Sequence, residues 1–282
     1  MINSNLDKLK LYKNFYIPKY KVLFSSEKSN NSCLVIPVIN EGNRIHELLE
    51  KIASLELNKL VDVIIVDGGS TDGSLEENYL NSKNVNSLLL KTEKGKLSTQ
   101  LLCAYAYALE NNYKNILTID GNNKDDPKSI SLIVDKLNEG YDFVQASRFI
   151  DGGEAVNTPK SRDFAIRYIH APVLSCFSGF HWTDTTQGFR GYSSRLLSSP
   201  EVAIFRKEFS CYELLAYLSY IAPKLNFKCI EIPSKRVYPK GAVPTKISSF
   251  MGNLELLKVL FKASFGKYNL DKKDIIKWSL LS

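Results

Sequence analysis

Asp120 is the residue around which the possible chemistry of the chain is arranged. It closes the short apolar run 115–119, and a polar turn containing Asn122, Asn123 and Lys124 follows it. In an open α/β sheet the carboxyl ends of the strands line the ligand crevice, so this carboxylate is predicted to face a cleft. Carboxylate and amide oxygens are the ligands that Mg²⁺ and Mn²⁺ prefer. The turn therefore predicts a site for a diphosphate and its cation.

Three other predicted strands also end in polar residues. Asn40 and Glu41 follow the first apolar run, Asp67 follows the second, and Arg148 follows a later one. Each has a structural alternative, because Glu41 would stabilise the start of its helix and Asp67 would brace the glycine turn beside it. The convergence of four such strand ends is more informative than any one of them.

The elements that must position these residues are typical of a mainly parallel sheet flanked by helices. The runs 33–39 and 61–66 are continuously apolar, as expected of buried parallel strands, and helical patterns separate the later strands. We predict a single α/β domain over residues 32–235. Residues 1–31 are predicted to form an N-terminal arm or short helix, and residues 236–282 a basic site-closing segment with amphipathic C-terminal helices.

The composition is that of a globular protein and excludes several classes. Of the 282 residues, 44% are hydrophobic and 24% are charged, which argues against a disordered chain. The five cysteines contain no Cys-x-x-Cys pair, so buried thiols in a reducing cytoplasm are expected, and zinc or a disulfide framework is not. No uncharged apolar stretch approaches the roughly 18–20 residues of a membrane-spanning helix.

The net charge of +7 is carried by the end of the chain. From Lys228 onwards there are eleven Lys and Arg against four Asp and Glu, which gives 11 − 4 = +7. A basic, amphipathic terminus indicates contact with anionic lipid at a membrane surface, with an ordinary solvated face as the equally weighted alternative. Nucleic-acid binding is not expected, because the basic excess is confined to this tail.

Five segments carry a resemblance to a known family: Val35–Glu41, Val66–Gly73, Thr118–Asn122, Ala146–Arg148 and Asp184–Arg190. In this order they resemble glycosyltransferase family 2, and within it the polyprenyl-phosphate (dolichol-phosphate) mannosyl- and glucosyltransferases. The resemblance implies a GT-A fold that binds a nucleoside-diphosphate sugar. It places Pro37, Asn40 and Glu41 at the nucleoside and Asp67 at the base.

The chain departs from this family at two carboxylates. Asp120 matches the first carboxylate of the family's Asp-x-Asp motif, but Asn122 replaces the second. Gly68 likewise replaces the second member of the paired aspartates after the second strand. We expect Asp120 and Asn122 to hold Mg²⁺ or Mn²⁺ more weakly than two carboxylates would, or Lys124 to neutralise part of the diphosphate charge.

The resemblance also implies an acceptor side. Asp184 would act as general base towards a hydroxyl acceptor. Towards a lipid phosphate, which is already anionic, it would orient the acceptor or anchor Arg190, the third catalytic candidate. The remaining candidates for substrate binding are Lys96, Arg148, Glu213, Arg236 and Lys240.

Two readings from different classes follow. In the first, the chain moves a hexose from a nucleotide sugar to a polyprenyl phosphate or a glycan in cell-envelope polysaccharide or glycolipid synthesis, in the cytoplasm or on the cytoplasmic face of the membrane. In the second, motivated by Asn122 and Gly68, it is a catalytically degenerate GT-A domain that binds a nucleotide sugar or a partner without transfer. A dinucleotide oxidoreductase is disfavoured, because no Gly-x-Gly-x-x-Gly follows the first strand.

Overall fold

The computed structural model describes residues 15–239 and 250–270 of the chain. The strands are β1 (Tyr20–Ser25), β2 (Ser32–Val38), β3 (Asp62–Asp67), β4 (Val85–Lys91), β5 (Asn115–Thr118), β6 (Phe143–Ser147), β7 (Glu154–Val156), β8 (Arg190–Ser193), β9 (Cys229–Pro233) and β10 (Lys235–Val237). The helices are α1 (Asn43–Ser54), α2 (Glu77–Ser82), α3 (Leu97–Glu110), α4 (Ser129–Asn138), α5 (Lys160–Ala165), α6 (Ala171–Ser178), α7 (Ser194–Leu197), α8 (Glu213–Lys224) and α9 (Phe250–Ser264). A 3₁₀ turn at Leu57–Lys59 and a π-helical turn at Ile166–His170 complete the regular structure of these ranges.

One eight-stranded sheet has the order β1-β4-β3-β2-β5-β8-β6-β9. β2 pairs in parallel with β3 and β5, β3 with β4, and β6 with β9. β8 is antiparallel to both β5 and β6, and β1 is antiparallel to β4. The prediction of a mainly parallel sheet is confirmed, and the carboxyl ends of β2, β3, β5 and β6 lie at one edge.

Helices cover both faces of the sheet because its central strands are apolar on both sides. Cys33 and Val35 of β2 belong to the core shared with α3, α6, α8 and α9, whereas Leu34 and Ile36 belong to the core shared with α1 and α4. This alternation follows from the two-residue repeat of a strand. Every residue from 98 to 109 of α3 is buried. The position of α3 in the protein interior explains why this helix lacks a charged face.

The N-terminal prediction is wrong for residues 20–25. This segment was expected to be an arm or a short helix, but it forms β1 at the edge of the sheet, antiparallel to β4. Tyr20 and Phe24 of β1 are partly buried and the three residues between them are exposed, which suits a strand at the edge of a sheet. Val22 and Leu23 of β1 are 46% and 51% exposed. The segment therefore lacks the continuous run of buried apolar residues from which β2 and β3 were predicted.

The predicted boundary between residues 235 and 236 falls inside a strand. β10 pairs in parallel with β7, so the start of the basic segment is part of the folded domain. The described part of the segment in which amphipathic C-terminal helices were expected contains α9, which packs against α6 and α8. In the two described ranges, no helix combines the length and the apolar character that crossing a bilayer requires.

Gln100 ties the ends of two central strands together. From the first turn of α3, its buried side-chain amide donates to the backbone carbonyl oxygens of Val38 and Val66, at 3.0 Å each. These residues lie at the carboxyl ends of β2 and β3, beside the edge where the polar residues converge. A Cβ atom at Gly68 would lie 3.0 Å from the same amide nitrogen, so a larger residue at this position would press on the Gln100 side chain.

We expect Gln100→Leu to lower the free energy of unfolding by about 1–3 kcal/mol. The substitution keeps the volume of the side chain but removes two buried hydrogen bonds, each contributing roughly 0.5–1.5 kcal/mol. Chemical denaturation monitored by circular dichroism measures the change. Asn111→Ala is the matched control, because it removes an amide-to-carbonyl bond at the exposed end of the same helix. Equal effects of the two substitutions would contradict the role assigned to Gln100.

Candidate functional site

The structure brings Asp67 and Asp120 to the same edge of the sheet. β2 lies between their strands, with Val38 opposite Asp67 and Val35 opposite Thr118 in the register. The strands that carry the two carboxylates are two strand spacings apart, a distance of about 10 Å. Asn40 and Arg148 follow β2 and β6 at this edge as well. The four strand ends that were predicted to line a shared cleft therefore lie along one edge of the sheet, and we refer to this edge as the cleft.

Asp67 organises the glycine turn after β3. Its Oδ1 accepts hydrogen bonds from the backbone N–H of Gly69 at 3.0 Å and of Ser70 at 2.8 Å, and from the Ser70 hydroxyl at 2.7 Å. Gly69 has a φ of 101°, which favours glycine. The bracing role that was the structural alternative for Asp67 is thus present, and all three bonds fall on one carboxylate oxygen.

Asn40 and Glu41 connect the end of β2 to this turn and to α1. Asn40 accepts from the backbone N–H of Thr71 at 2.8 Å through its side-chain oxygen, and its own N–H donates to the Ser70 hydroxyl at 3.1 Å. Glu41 is 7% exposed and forms an ion pair with Arg44 at 2.8 Å. These bonds fix the wall of the cleft on the side where the resemblance places the nucleoside.

Two glycines make room at the floor of the cleft. A Cβ atom at Gly188 would lie 2.4 Å from Oδ1 of Asp120, so only glycine lets the chain pass this carboxylate. A Cβ atom at Gly121 would lie 3.1 Å from the backbone oxygen of Pro37. Pro37 therefore contributes its backbone to the site, next to Asp120. The close approach at Gly188 is a feature that no sequence pattern reveals.

Arg236 joins two carboxylates beneath the cleft. Its Nη1 lies 2.5 Å from Oδ2 of Asp125, and its Nη2 lies 3.3 Å from Oδ2 of Asp120. Asp125 is 2% exposed and also accepts a hydrogen bond from the Gln187 side chain at 2.6 Å. Burial raises the pKa of Asp125, and the charge of Arg236 opposes that rise. Arg236 was predicted as a substrate contact, but in the structure its guanidinium is taken up by these internal partners.

Lys124 is 6% exposed and lies over an aromatic ring. Its Nζ is 5.1 Å from the ring centroid of Tyr238, and burial lowers its pKa. The side-chain oxygen of the neighbouring Asn122 accepts from the backbone N–H of Lys124 at 3.2 Å, and its amide nitrogen donates to Oδ2 of Asp120 at 3.5 Å. Sequence reasoning did not single out Tyr238, because nothing in its local pattern distinguishes it from a core aromatic.

Asp184 is the partner of Arg148, not of Arg190. Nε of Arg148 donates to Oδ2 of Asp184 at 2.7 Å, and Nη2 donates to Oδ1 at 3.1 Å. The side chains of this pair are 1% and 0% exposed. Both oxygens of Asp184 are engaged by a cation inside the protein, so this geometry does not favour the general-base role predicted for it. Arg148 is in turn a buried partner of Asp184 rather than a surface contact for an anion.

Glu231 and Arg190 hold the loop that contains Asp184. Glu231 accepts from the backbone N–H groups of Thr183 and Asp184 at 2.9–3.0 Å, and burial raises its pKa. Arg190 is completely buried and donates to the backbone oxygens of Gln187, Leu215 and Thr185 at 2.7–2.8 Å. The prediction of Arg190 as a catalytic residue is not supported, because its guanidinium anchors the loop to α8.

Two other candidates lie in a second cluster at the start of α3 and α8. Lys96 pairs with Glu255 of α9 at 3.3 Å, and its side chain is 50% exposed. Glu213 accepts a hydrogen bond from the backbone N–H of Cys211 at 2.7 Å, so its carboxylate stabilises the start of α8. Lys240 lies outside the described residues.

The residues around Asp120 offer few ligands for a divalent cation. Among the described residues, no group of three or more His, Cys, Asp or Glu side chains is arranged to hold a metal. Mg²⁺ is often held by one or two carboxylates together with substrate phosphates, and Asp120 supplies one such carboxylate, whereas the Asn122 oxygen accepts from the backbone N–H of Lys124. The side chain of Asp120 is 23% exposed, so it is accessible from the cleft.

Comparison with characterised proteins agrees with this geometry. The chain is 23% identical over 211 residues to polyprenol monophosphomannose synthase of Mycolicibacterium smegmatis, covering 73% of this chain and 77% of that protein. It is 23% identical over 202 residues to undecaprenyl-phosphate mannosyltransferase of Micrococcus luteus, covering 71% of this chain and 80% of that protein.

Solved structures share the fold. Glucosyl-3-phosphoglycerate synthase of Mycobacterium tuberculosis, in complex with Mn²⁺ and UDP-glucose, superposes with a TM-score of 0.58 at 15% identity, covering 86% of this chain and 80% of that chain. Mannosyl-3-phosphoglycerate synthase of Rubrobacter xylanophilus gives 0.56 at 14% identity, covering 84% and 73%. The GT-A-like fold expected from the resemblance is confirmed.

The family assignment covers the strands that form the cleft. Residues 33–205, more than half of the chain, match the family described as Glycosyl transferase family 2. This range contains β2 to β8, with Asp67, Asp120 and Asp184. The chain belongs to glycosyl transferase family 2 and is a glycosyltransferase.

Proposed function

We propose that this glycosyltransferase moves a hexosyl group from a nucleoside-diphosphate sugar to a polyprenyl phosphate. The observation that carries the proposal is the common cleft of Asp67 and Asp120, whose strands flank β2 at one edge of the sheet. The printed names of the two relatives, a polyprenol monophosphomannose synthase and an undecaprenyl-phosphate mannosyltransferase, support this acceptor class. The Mn²⁺ and UDP-glucose in a structural neighbour support the donor class and a divalent cation.

The pairing of Asp184 favours a phosphate acceptor over a hydroxyl. A hydroxyl group must lose a proton to a base as it attacks, whereas a phosphate oxygen is already a nucleophile at neutral pH. Asp184 has both oxygens bound to Arg148 and is fully buried. The buried pair would then shape the acceptor side of the cleft without taking part in proton transfer. Transfer to a saccharide hydroxyl is the second candidate.

On the donor side, breaking the sugar–phosphate bond builds negative charge on the leaving diphosphate. A cation held by Asp120 and Asn122 would supply charge neutralisation at that group. Lys124 and Arg236 add fixed positive charge around Asp120 from within the protein. The glycine turn braced by Asp67 and the Asn40 contacts hold the opposite wall, where the nucleoside would lie.

We expect Asp120→Asn to lower transfer by about 100-fold or more, because it removes the single carboxylate directed at the diphosphate. Asp126→Asn is the matched control, because Asp126 lies in the same loop. The side-chain oxygen of an asparagine at this position can still accept the hydrogen bond from the backbone N–H of Lys128. Radiolabelled or mass-spectrometric product detection with UDP-, GDP-, CDP- and TDP-hexoses, and with polyprenyl phosphate or glycan acceptors, measures the change. Full activity of Asp120→Asn would contradict its role.

Removal of divalent cations is expected to abolish transfer, and Mn²⁺ or Mg²⁺ is expected to restore it. With one carboxylate in the site, half-maximal activation should require more Mn²⁺ than is typical of a two-carboxylate site. The measurement is initial rate against free metal concentration. Transfer that continues undiminished in excess chelator would remove the cation from the mechanism. Donor binding in a thermal-shift assay, without hydrolysis or transfer at any metal concentration, would instead identify a degenerate domain.

We also propose that α9 contacts an anionic membrane surface. Leu254, Phe261 and Phe265 are 38%, 42% and 60% exposed, and the exposed Lys258 and Lys262 lie between them at helical spacing. A face that combines apolar side chains with lysines matches the interfacial region of a bilayer with anionic head groups. Such contact would bring the cleft near a lipid-linked acceptor. The basic residues after 270 lie outside the described ranges, so the proposal rests on α9.

The double variant Lys258→Glu, Lys262→Glu is expected to bind anionic vesicles at least about 30-fold more weakly, because each lysine near such a surface contributes about 1 kcal/mol. Vesicle co-sedimentation with phosphatidylglycerol-containing and neutral liposomes measures this loss. The control is Lys83→Glu, Lys136→Glu, which makes the same charge change beside α2 and in α4, on the other face of the sheet. Equal binding of both variants would contradict contact through α9.

A further inference from the structure

Tyr238 lies at the centre of three positive charges. It is 2% exposed and immediately follows β10. The centroid of its ring is 5.1 Å from Nζ of Lys124, 5.6 Å from Cζ of Arg236 and 5.8 Å from Cζ of Arg162. Its hydroxyl oxygen also accepts a hydrogen bond from Nη1 of Arg162 at 3.3 Å. We call Lys124, Arg162, Arg236 and Tyr238 the tyrosine cluster.

The tyrosine cluster is held rigidly by backbone bonds from two directions. The N–H of Tyr238 donates to the backbone oxygen of Val156 at 3.0 Å, and its own carbonyl accepts from the Asn157 side chain at 3.2 Å. One residue earlier, the N–H of Val237 donates to the backbone oxygen of Lys124 at 2.8 Å. The ring is therefore fixed between the loop after β5 and the loop after β7.

Three cations around one ring repel one another, so the arrangement needs compensation. The negative face of an aromatic ring attracts each cation, and more strongly where water is excluded. Asp120 and Asp125 balance Arg236 from below. Arg236 is the member that connects the ring to Asp120, at 3.3 Å. The positive charge of the cluster is thus concentrated beside the carboxylate at the floor of the cleft.

We propose that Tyr238 is a positioning residue of the transfer reaction, whose ring and hydroxyl hold Lys124 and Arg162 beside the Arg236–Asp120 ion pair so that the charge of these two cations faces a phosphate group of a substrate. This inference rests on the proposed function, because it assigns the cluster to a phosphate of the donor or of the acceptor. Tyr238 itself acts through these cations and does not bind the phosphate.

Protonation of Tyr238 changes the charge of the cluster within an accessible pH range. Burial alone would raise the pKa of its phenol, but Arg236, Arg162 and Arg148 together lower it to about 8. The other charged groups of this region are Lys124, Asp120 and Asp125, and burial lowers the pKa of Lys124 as well. Above pH 8 a phenolate adds one negative charge to the cluster, which weakens its attraction for phosphate.

The test compares Tyr238→Phe and Tyr238→Leu with the wild type. Phenylalanine keeps the ring but cannot ionise or accept from Arg162, and leucine also removes the aromatic face. Tyr113→Phe is the matched control, because Tyr113 is equally buried, lies under Nζ of Lys28 at 4.9 Å and donates its hydroxyl hydrogen to Asp62 at the opposite edge of the sheet. kcat and KM for donor and acceptor are measured from pH 6.5 to 9.5.

For the wild type and Tyr113→Phe, KM for at least one phosphate-bearing substrate is expected to be about fivefold higher at pH 9 than at pH 7, because a nearby like charge repels the phosphate. Tyr238→Phe should lose this rise. Tyr238→Leu should raise KM about tenfold at every pH, since the cations lose the ring that holds them. The substrate whose KM responds identifies the phosphate that the cluster faces.

A wild-type pH profile retained in Tyr238→Phe, or unchanged KM values in a folded Tyr238→Leu, would overturn the positioning role. Failure of the proposed function is separately visible, because the wild type would then transfer no sugar between any donor and acceptor. In that case the cluster is tested by the rise in melting temperature with inorganic pyrophosphate at pH 7. A rise in the wild type and Tyr113→Phe that is absent in Tyr238→Leu supports the cluster, and equal rises in all three contradict it.

Discussion

The buried guanidinium of Arg236 is the contact on which the arrangement of the cleft depends. It pairs with Asp125 in the interior and with Asp120 at the surface of the cleft, and it lies against the ring of Tyr238. Removing one partner of a buried ion pair leaves an uncompensated charge, which typically costs about 3–5 kcal/mol. The floor of the cleft, β10 and the loop after β5 are thus coupled through a single side chain. None of these elements could move independently without exposing or unpairing a charge.

Much of this fold follows from local sequence patterns. The continuous apolar runs at 33–39 and 61–66 are found as β2 and β3, because strands covered on both faces need apolar side chains at every position. Polar residues that end such strands must lie at the carboxyl edge of a parallel sheet, so the cleft with Asp67 and Asp120 was predictable. The edge strand β1 was not, because its six residues show neither a continuous buried run nor a strict alternation that would distinguish a strand from a short helix or an arm.

The pairing of charges could not be predicted in the same way. Anchoring Arg190, six residues away, was one of the roles expected of Asp184, but Asp184 pairs with Arg148, which directly follows β6. Asp125 and Arg236 are 111 residues apart in the chain. Sequence patterns report which faces of strands and helices are buried, whereas the choice between several arginines depends on tertiary distances. Gln100 and Gly188 escaped notice for the same reason, since their importance lies in what approaches them.

The charges around Asp120 give a physical reason for an amide, rather than a second carboxylate, at Asn122. Asp120, Asp125 and Asp184 already balance Arg236 and Arg148, and Lys124 adds a further cation in a largely buried environment. A second carboxylate at position 122 would draw on the same cations and reduce the positive charge directed at a diphosphate. A neutral amide leaves that charge in place while still offering an oxygen. In the function proposed above, protein-borne cations and a metal on the single carboxylate would share the neutralisation of a leaving diphosphate, and weak binding of that metal would be the consequence.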